Sequence, residues 1–388
     1  MSIADVFTQL GARQSLYVAA VACSQVPESW LSWLVLHCRM DVIRRIRLAR
    51  SLQRGSHEED IPRCYLLDLT DPFRMLDDEE FQFRYRFSKV AVHQLFDVIS
   101  ADQELQCRKH AVPPLLQLLV CLRFFATGHF QRTDGDLLGI SPQTTGEIIH
   151  RITRCLIRKK RTFLSFPQNL ASTKAQFYGV AQFPSVIGAI DCTHIPIASP
   201  GGESAEVFRN RKGWFSINVQ AVCDARRCFT NVVARWPGST HDSRIFDNSL
   251  LKDELERGKY DELLLGDAGY ALRRYLLVPI TAPVTPSEKR YNASHIKTRV
   301  RIEQAFGILK QRFRVFRTPL RTKLDHSLEI IVAVFCLHNF AIRTSQSIVE
   351  QDSADDNPSA RECTDPTSLG RAARQQIIEG HFTIRQRT

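Results

Sequence analysis

The sequence predicts an α/β fold: a mixed five-stranded sheet flanked by helices, preceded by an all-helical, helix-turn-helix-like domain. Three observations lead to it. From Phe87 to about Arg161 apolar residues recur at helical period, after Phe183-Pro184 the rhythm changes to short apolar runs separated by turn residues, and two long helical stretches follow those runs. At 388 residues with 44% hydrophobic content, the chain can bury a sizeable core and divide into two or three domains.

Residues 1–84 read as a helical, basic arm in which Arg44, Arg45, Arg47, Arg50 and Arg54 share a helix, either against phosphate or as a solvated face. Residues 85–165 form the helical domain. Ser88 caps its first helix, Pro113 and Pro114 open the second, Ser141-Pro142 starts the last, and Gly128 and Gly139 supply turns on either side of a short helix. This is the helix-turn-helix rhythm. Thr144, Thr145, Arg151 and Arg154 lie along the last helix, where a DNA reader places its contacts, although any small bundle offers such surface residues. Arg158, Lys159, Lys160 and Arg161 close it with a basic block, suited to an import signal, a phosphate clamp, or a cationic helix C-terminus.

Residues 180–343 form the α/β domain. Strands are expected over Val186–Ile190, Phe215–Val222 and Phe229–Ala234, then a helix from Ser239-Thr240-His241-Asp242 to about Arg257, and strands over Leu263–Leu265 and Leu276–Pro279. A long helix from about Ser294 to Arg314 and a buried one over Leu328–Ile342 follow. The order strand, strand, strand, helix, strand, helix is that of an RNase H-like core. Residues 344–388, rich at first in Ser, Asp and Pro, read as a flexible linker with a short C-terminal segment.

Four acids stand in distinctive phrases: Asp191 in IDCTH, Asp242 in PGSTHDSR, Asp267 in LLLGDAGY and Glu303 in RVRIEQAFGILKQRF. Asp191 and Asp267 end strands that run parallel as neighbours, which brings them to one crevice. Glu303 borders the stripe Ile302, Phe306, Leu309 and Phe313, so a helix delivers it to the sheet edge. Gathered carboxylates repel, by about 4 kcal/mol per pair at about 4 Å and an effective dielectric of ~20. One or two divalent cations, Mg²⁺ or Mn²⁺, are the economical compensation, and such ions act on phosphodiesters. Asp242 serves equally as a helix cap, Arg299 and Arg301 offer ion pairs instead of metal, and His194 and His241 either orient water or satisfy core hydrogen bonds.

The 52 Lys+Arg against 41 Asp+Glu give a net charge of +11 and a pI near 9.2, which suits a polyanion such as nucleic acid. Arg151, Arg154, Lys159, Lys160, Arg211, Lys212, Lys310 and Arg312 are the candidate DNA contacts, with Trp214 either stacking on a base or packed inside. The 11 cysteines show no CxxC pair and read as reduced, buried thiols. The apolar run Leu16–Cys23 is shorter than the ~20 residues that span a bilayer, so no membrane is expected.

The phrases VIGAIDCTHIPI, FRNRKGWFSINVQAVCD, WPGSTHDSRIF, LLLGDAGYALRRYLLVP, YNASHIKTRVRIEQAFGILKQRF and CLHNF, in this order, closely resemble the PIF/Harbinger transposase family and its Harbinger transposase-derived nucleases, over roughly residues 85–342. The resemblance implies an RNase H-like DDE domain in which Asp191, Asp267 and Glu303 are catalytic acids and Asp242 a further metal ligand. It also implies metal-dependent cutting or transfer of DNA, a nuclear location and a Myb/SANT-type partner protein; a share in the cytoplasm and a homo-oligomer are open alternatives beside these. Cys192, where the family usually has Gly, departs from the pattern without removing a carboxylate. The competing reading is a domesticated, catalytically silent nuclear protein that binds DNA or a partner.

Overall fold

The computed structural model describes residues 71–102, 105, 112–128, 140–346 and 367–383. Residues 1–70 of the basic arm, with its arginine-bearing helix, Gly139 and the short helix expected before it lie outside these residues.

The helical region opens with α1 (Asp78–Tyr85), α2 (Lys89–Ser100) and α3 (Pro114–Thr127), followed by α4 (Pro142–Arg158), α5 (Lys160–Phe163) and α6 (Leu170–Ala181). The expected caps are present: the Ser88 hydroxyl accepts from Ala91 N at 3.2 Å, and Ser141 Oγ accepts from Thr144 N at 3.1 Å. Gly128 ends α3 in the left-handed region at φ +66°, and a Cβ there would stand 2.9 Å from the Arg314 carbonyl. Glycine satisfies both demands.

Five strands make one sheet in the order β3-β2-β1-β4-β5, with β1 (Val186–Pro196), β2 (Ser216–Cys223), β3 (Phe229–Pro237), β4 (Leu263–Leu265) and β5 (Leu276–Leu277). β1 to β3 are antiparallel, while β4 runs parallel to β1 and β5 to β4. This is the predicted mixed sheet of the RNase H-like fold. β1 continues five residues past Asp191 because its far half still pairs with β2, down to Pro196 opposite Ser216.

Three helical boundaries differ from expectation. The segment after β3 is two helices, α7 (Asp242–Asp247) and α8 (Leu250–Glu256), because Ser249 stops one and caps the next through Lys252 N. The long helix α9 (Pro286–Arg312) starts eight residues early: Thr285 and Glu288 form a reciprocal capping box and Pro286 takes the first turn. α10 (Leu324–Arg343) is long and apolar enough for a membrane span, yet it is mostly buried. Its Asn339 side chain accepts from Phe229 N and donates to the carbonyls of Phe229 and Phe163, at 2.6 to 2.9 Å. Neighbouring His338 donates from Nε2 to the Arg227 carbonyl at 2.9 Å. The CLHNF phrase therefore latches α10 to β3.

The short C-terminal segment expected after the linker is helical and docked. Residues 347–366 are outside the described residues, but α11 (Ser368–Ile377) and the turn Ile378–Phe382 pack on the α/β domain. Phe382 meets Phe183 at 5.5 Å and Tyr291 at 5.8 Å between ring centroids, and the Arg290 guanidinium donates to its carbonyl at 2.8 Å. Ile378 and Phe382 belong to the core cluster of Val186, Ile187, Leu264 and Leu277.

Phe382→Ala is expected to cost about 3–5 kcal/mol, as for other buried aromatic truncations, seen as a lower urea midpoint. Burial of His295 and His338 pulls both down to about 4. Below the ordinary histidine value of about 6.5 the unfolded chain binds protons that the native one refuses. Stability should fall as pH drops from about 6.5 to 4, by up to about 1.4 kcal/mol per pH unit for each histidine. A urea midpoint equal at pH 5 and pH 7 would contradict this.

Candidate metal centre

The register of the parallel pair sets the site. Ala189 lies opposite Leu265, so Asp191 and Asp267, each two residues further on, emerge at the same level. Gly266 permits this closeness, since a Cβ there would meet Tyr270 at 2.9 Å, Leu276 at 3.2 Å and Ile190 at 3.3 Å. Asp242 arrives from the far side of the sheet. It is the first residue of α7, and Asn218 on β2 donates to its Oδ1 at 3.0 Å and to the Thr240 carbonyl at 2.8 Å. The cap position belongs to His241, so the capping role considered for Asp242 is not the one it plays.

One carboxylate oxygen each from Asp191, Asp242 and Asp267 lie within 4.8 Å of one another. Oxygens sharing a six-coordinate Mg²⁺ at about 2.1 Å stand roughly 3.0 to 4.2 Å apart, so a small adjustment suffices. The donor set is all carboxylate, which suits hard divalent cations. Each acid is also oriented: Asp191 Oδ1 accepts from Cys192 N at 2.7 Å and Asp267 Oδ1 from Gly269 N at 3.1 Å. The residues present therefore fit the divalent metal that the site's chemistry calls for.

Glu303 stands elsewhere than expected. It is 44% exposed on α9, neither buried nor within the carboxylate cluster, and it pairs with Arg299 one turn earlier. Arg299 also donates to Asp191 Oδ2 at 3.1 Å and is only 14% exposed. The guanidinium thus links the cluster to the fourth acid. The stripe Ile302, Phe306, Leu309 and Phe313 is buried as predicted and Glu303 borders it, with its carboxylate turned toward solvent.

Beside the acids lies a dry pair. Cys192 Sγ and the Tyr270 hydroxyl approach to 3.3 Å. Burial, followed by Asp242, pushes the Cys192 thiol far up, and burial raises Tyr270 likewise. Both stay protonated, so Cys192 packs against the site as a small neutral group. The other described cysteines, Cys121, Cys155, Cys223, Cys228 and Cys336, are also buried and in no disulfide, as expected.

The candidate nucleic-acid contacts divide. Arg211 and Lys212 are exposed, and Arg211 touches His241 Nδ1 at 2.8 Å. Lys160 is exposed, while Lys159 and Lys310 are half-buried. Arg151 donates to Gln117 at 2.9 Å and Arg154 lies 3.5 Å from Glu329. Arg312 is corrected outright: it is 3% exposed and donates to the carbonyls of Arg86 and Gln346, so it closes the interior instead of meeting phosphate. His194 bonds Ser216 Oγ at 3.0 Å and stands edge-on to Trp214, which is 36% exposed. Asn218 and Tyr270 went unnoticed in the sequence, where nothing but their phrases marks them.

A sheet of this order with carboxylates converging beside its parallel pair defines a DDE superfamily endonuclease fold, and residues 190–339 match the family model described as "DDE superfamily endonuclease". The human protein named "Putative nuclease HARBI1" is 33% identical over 328 residues, covering 81% of this chain and 94% of that protein. Its namesake from Xenopus laevis is 31% identical over 326 residues, with the same coverage of 81% and 94%, and "Protein ALP1-like" of Arabidopsis thaliana is 29% identical over 259 residues, covering 62% and 63%. No solved structure matches the chain significantly. The chain belongs to the Harbinger transposase-derived nuclease family.

A cation at the cluster would compete with Arg299 for Asp191. Arg299→Gln should therefore tighten Mn²⁺ binding on the order of tenfold, the equivalent of about 1.4 kcal/mol of relieved repulsion, in a calorimetric titration. Asp267→Asn should weaken the same binding.

Proposed function

We propose that this protein is a metal-dependent DNA nuclease that hydrolyses or transfers phosphodiester bonds, with Asp191, Asp242 and Asp267 as metal ligands and Glu303 completing the acid set. The observation that carries it is the convergence of three separately delivered carboxylates within 4.8 Å in a chain of net charge +11. Bound there, Mg²⁺ or Mn²⁺ would lower the pKa of a water or 3′-hydroxyl and stabilise the leaving oxygen.

The protein's own groups then have defined tasks. The bonds from Cys192 N, Asn218 and Gly269 fix the carboxylates before substrate arrives, so little reorganisation is required. A DNA phosphate offers Arg299 a partner as good as Asp191, because guanidinium binds phosphate and carboxylate alike. Moving to it would release Asp191 and Glu303 together. Lys159, Lys160, Arg211, Lys212 and Lys310 hold strand backbones, and the helical region adds Arg151. Residence in the nucleus, work beside a Myb/SANT-type protein and self-association belong to the same proposal.

The position of Arg299 also favours a second reading, a domesticated protein that binds DNA without cutting because an internal cation already satisfies the acids. Nicking of supercoiled DNA with Mg²⁺ or Mn²⁺ separates the two. The expected result is activity in the wild type, abolished by chelator and reduced at least about 100-fold in Asp191→Asn and Asp267→Asn, the scale typical of lost transition-state stabilisation. Equal rates in all three proteins would end the nuclease reading, and salt-sensitive duplex binding without nicking would establish the second one.

A further inference from the structure

We propose that His150, His326 and Glu329 form a zinc site that ties α4 to α10, separate from the carboxylate cluster. His326 and Glu329 stand three residues apart on one face of α10, and His150 faces them from α4. One donor atom of each residue lies within 4.8 Å of the other two.

Two ligands of a tetrahedral zinc, each at about 2.0–2.1 Å, stand roughly 3.3 Å apart. His150 Nε2 and Glu329 Oε2 are 3.4 Å apart, and the two imidazole rings meet at 84° with centroids 4.4 Å apart. The approach of His150 to Glu329 is an ion pair only when the imidazole is protonated. Glu329 Oε2 and His326 Nε2 are both buried atoms without a hydrogen-bond partner among the described residues.

Buried polar atoms of one cluster left without hydrogen bonds are costly unless something shared satisfies them. A cation does so, and a set of two imidazoles with one carboxylate selects zinc over the magnesium-like ions suited to the aspartates. Arg154 lies 3.5 Å from the other oxygen, Glu329 Oε1, which turns Oε2 toward the histidines. The three side chains leave a fourth tetrahedral position for water or an external ligand. Arg154, a candidate nucleic-acid contact, is thereby committed to positioning Glu329.

The test uses the full chain, purified without chelator, equilibrated with zinc sulfate and gel-filtered before elemental analysis, with a parallel Co²⁺ titration followed in the visible. One retained zinc per chain and the intense bands of tetrahedral Co²⁺ are expected. Both should be lost in His326→Ala and in Glu329→Gln, and kept in an Asp191→Asn, Asp267→Asn double variant. A wild type that retains no zinc and shows no such bands overturns the site, as does equal retention in His326→Ala and Glu329→Gln. Should His326→Ala fail to fold by circular dichroism, Glu329→Gln, nearly isosteric, decides on the same readings.

Discussion

The parallel pairing of β1 with β4 is the constraint on which the site depends. A slip of one residue would turn Asp267 to the opposite face of the sheet, because side chains alternate along a strand. The register is held by apolar burial on both faces, through Val186, Ile187, Leu264 and Leu265, and by the closeness that Gly266 allows. Three-residue β4 is too short to fix itself by hydrogen bonds alone. The α9 helix, packed across β1, β2 and β4, supplies the rest.

Electrostatics then sets how the acids are kept ready. Burying Asp191 at 6% exposure is affordable only with compensation. Arg299 provides it within the fold, from a position between the cluster and Glu303. Glu303, 44% exposed, needs less compensation, because water screens a carboxylate at the rim.

Much of this was legible in the sequence. The strand rhythm, the caps at Ser88 and Ser141, the apolar face of α9 and the meeting of Asp191 with Asp267 all follow from local chemistry or from topology. The exposure of Glu303 was not, because helical period fixes a residue's place beside a face but not how deeply its carboxylate is covered. Arg312 looked like a surface cation, yet burial near two carbonyls is a tertiary property. Thr285-Pro286-Ser287-Glu288 did carry a helix start, and the residues after it are polar enough to have hidden it from an apolar-period search. Nothing in Ser368–Phe382 besides a few spaced hydrophobes announced that it fills the core.

That last docking has a kinetic consequence. Gln182 and His381, 199 positions apart, are joined by a hydrogen bond beside the ring cluster of Phe183 and Phe382. Contacts of such long sequence separation form late and slow the search for the native state. During translation the sheet must wait with part of its apolar surface open until residue 382 has left the ribosome, a period in which chaperone capture or aggregation competes with completion.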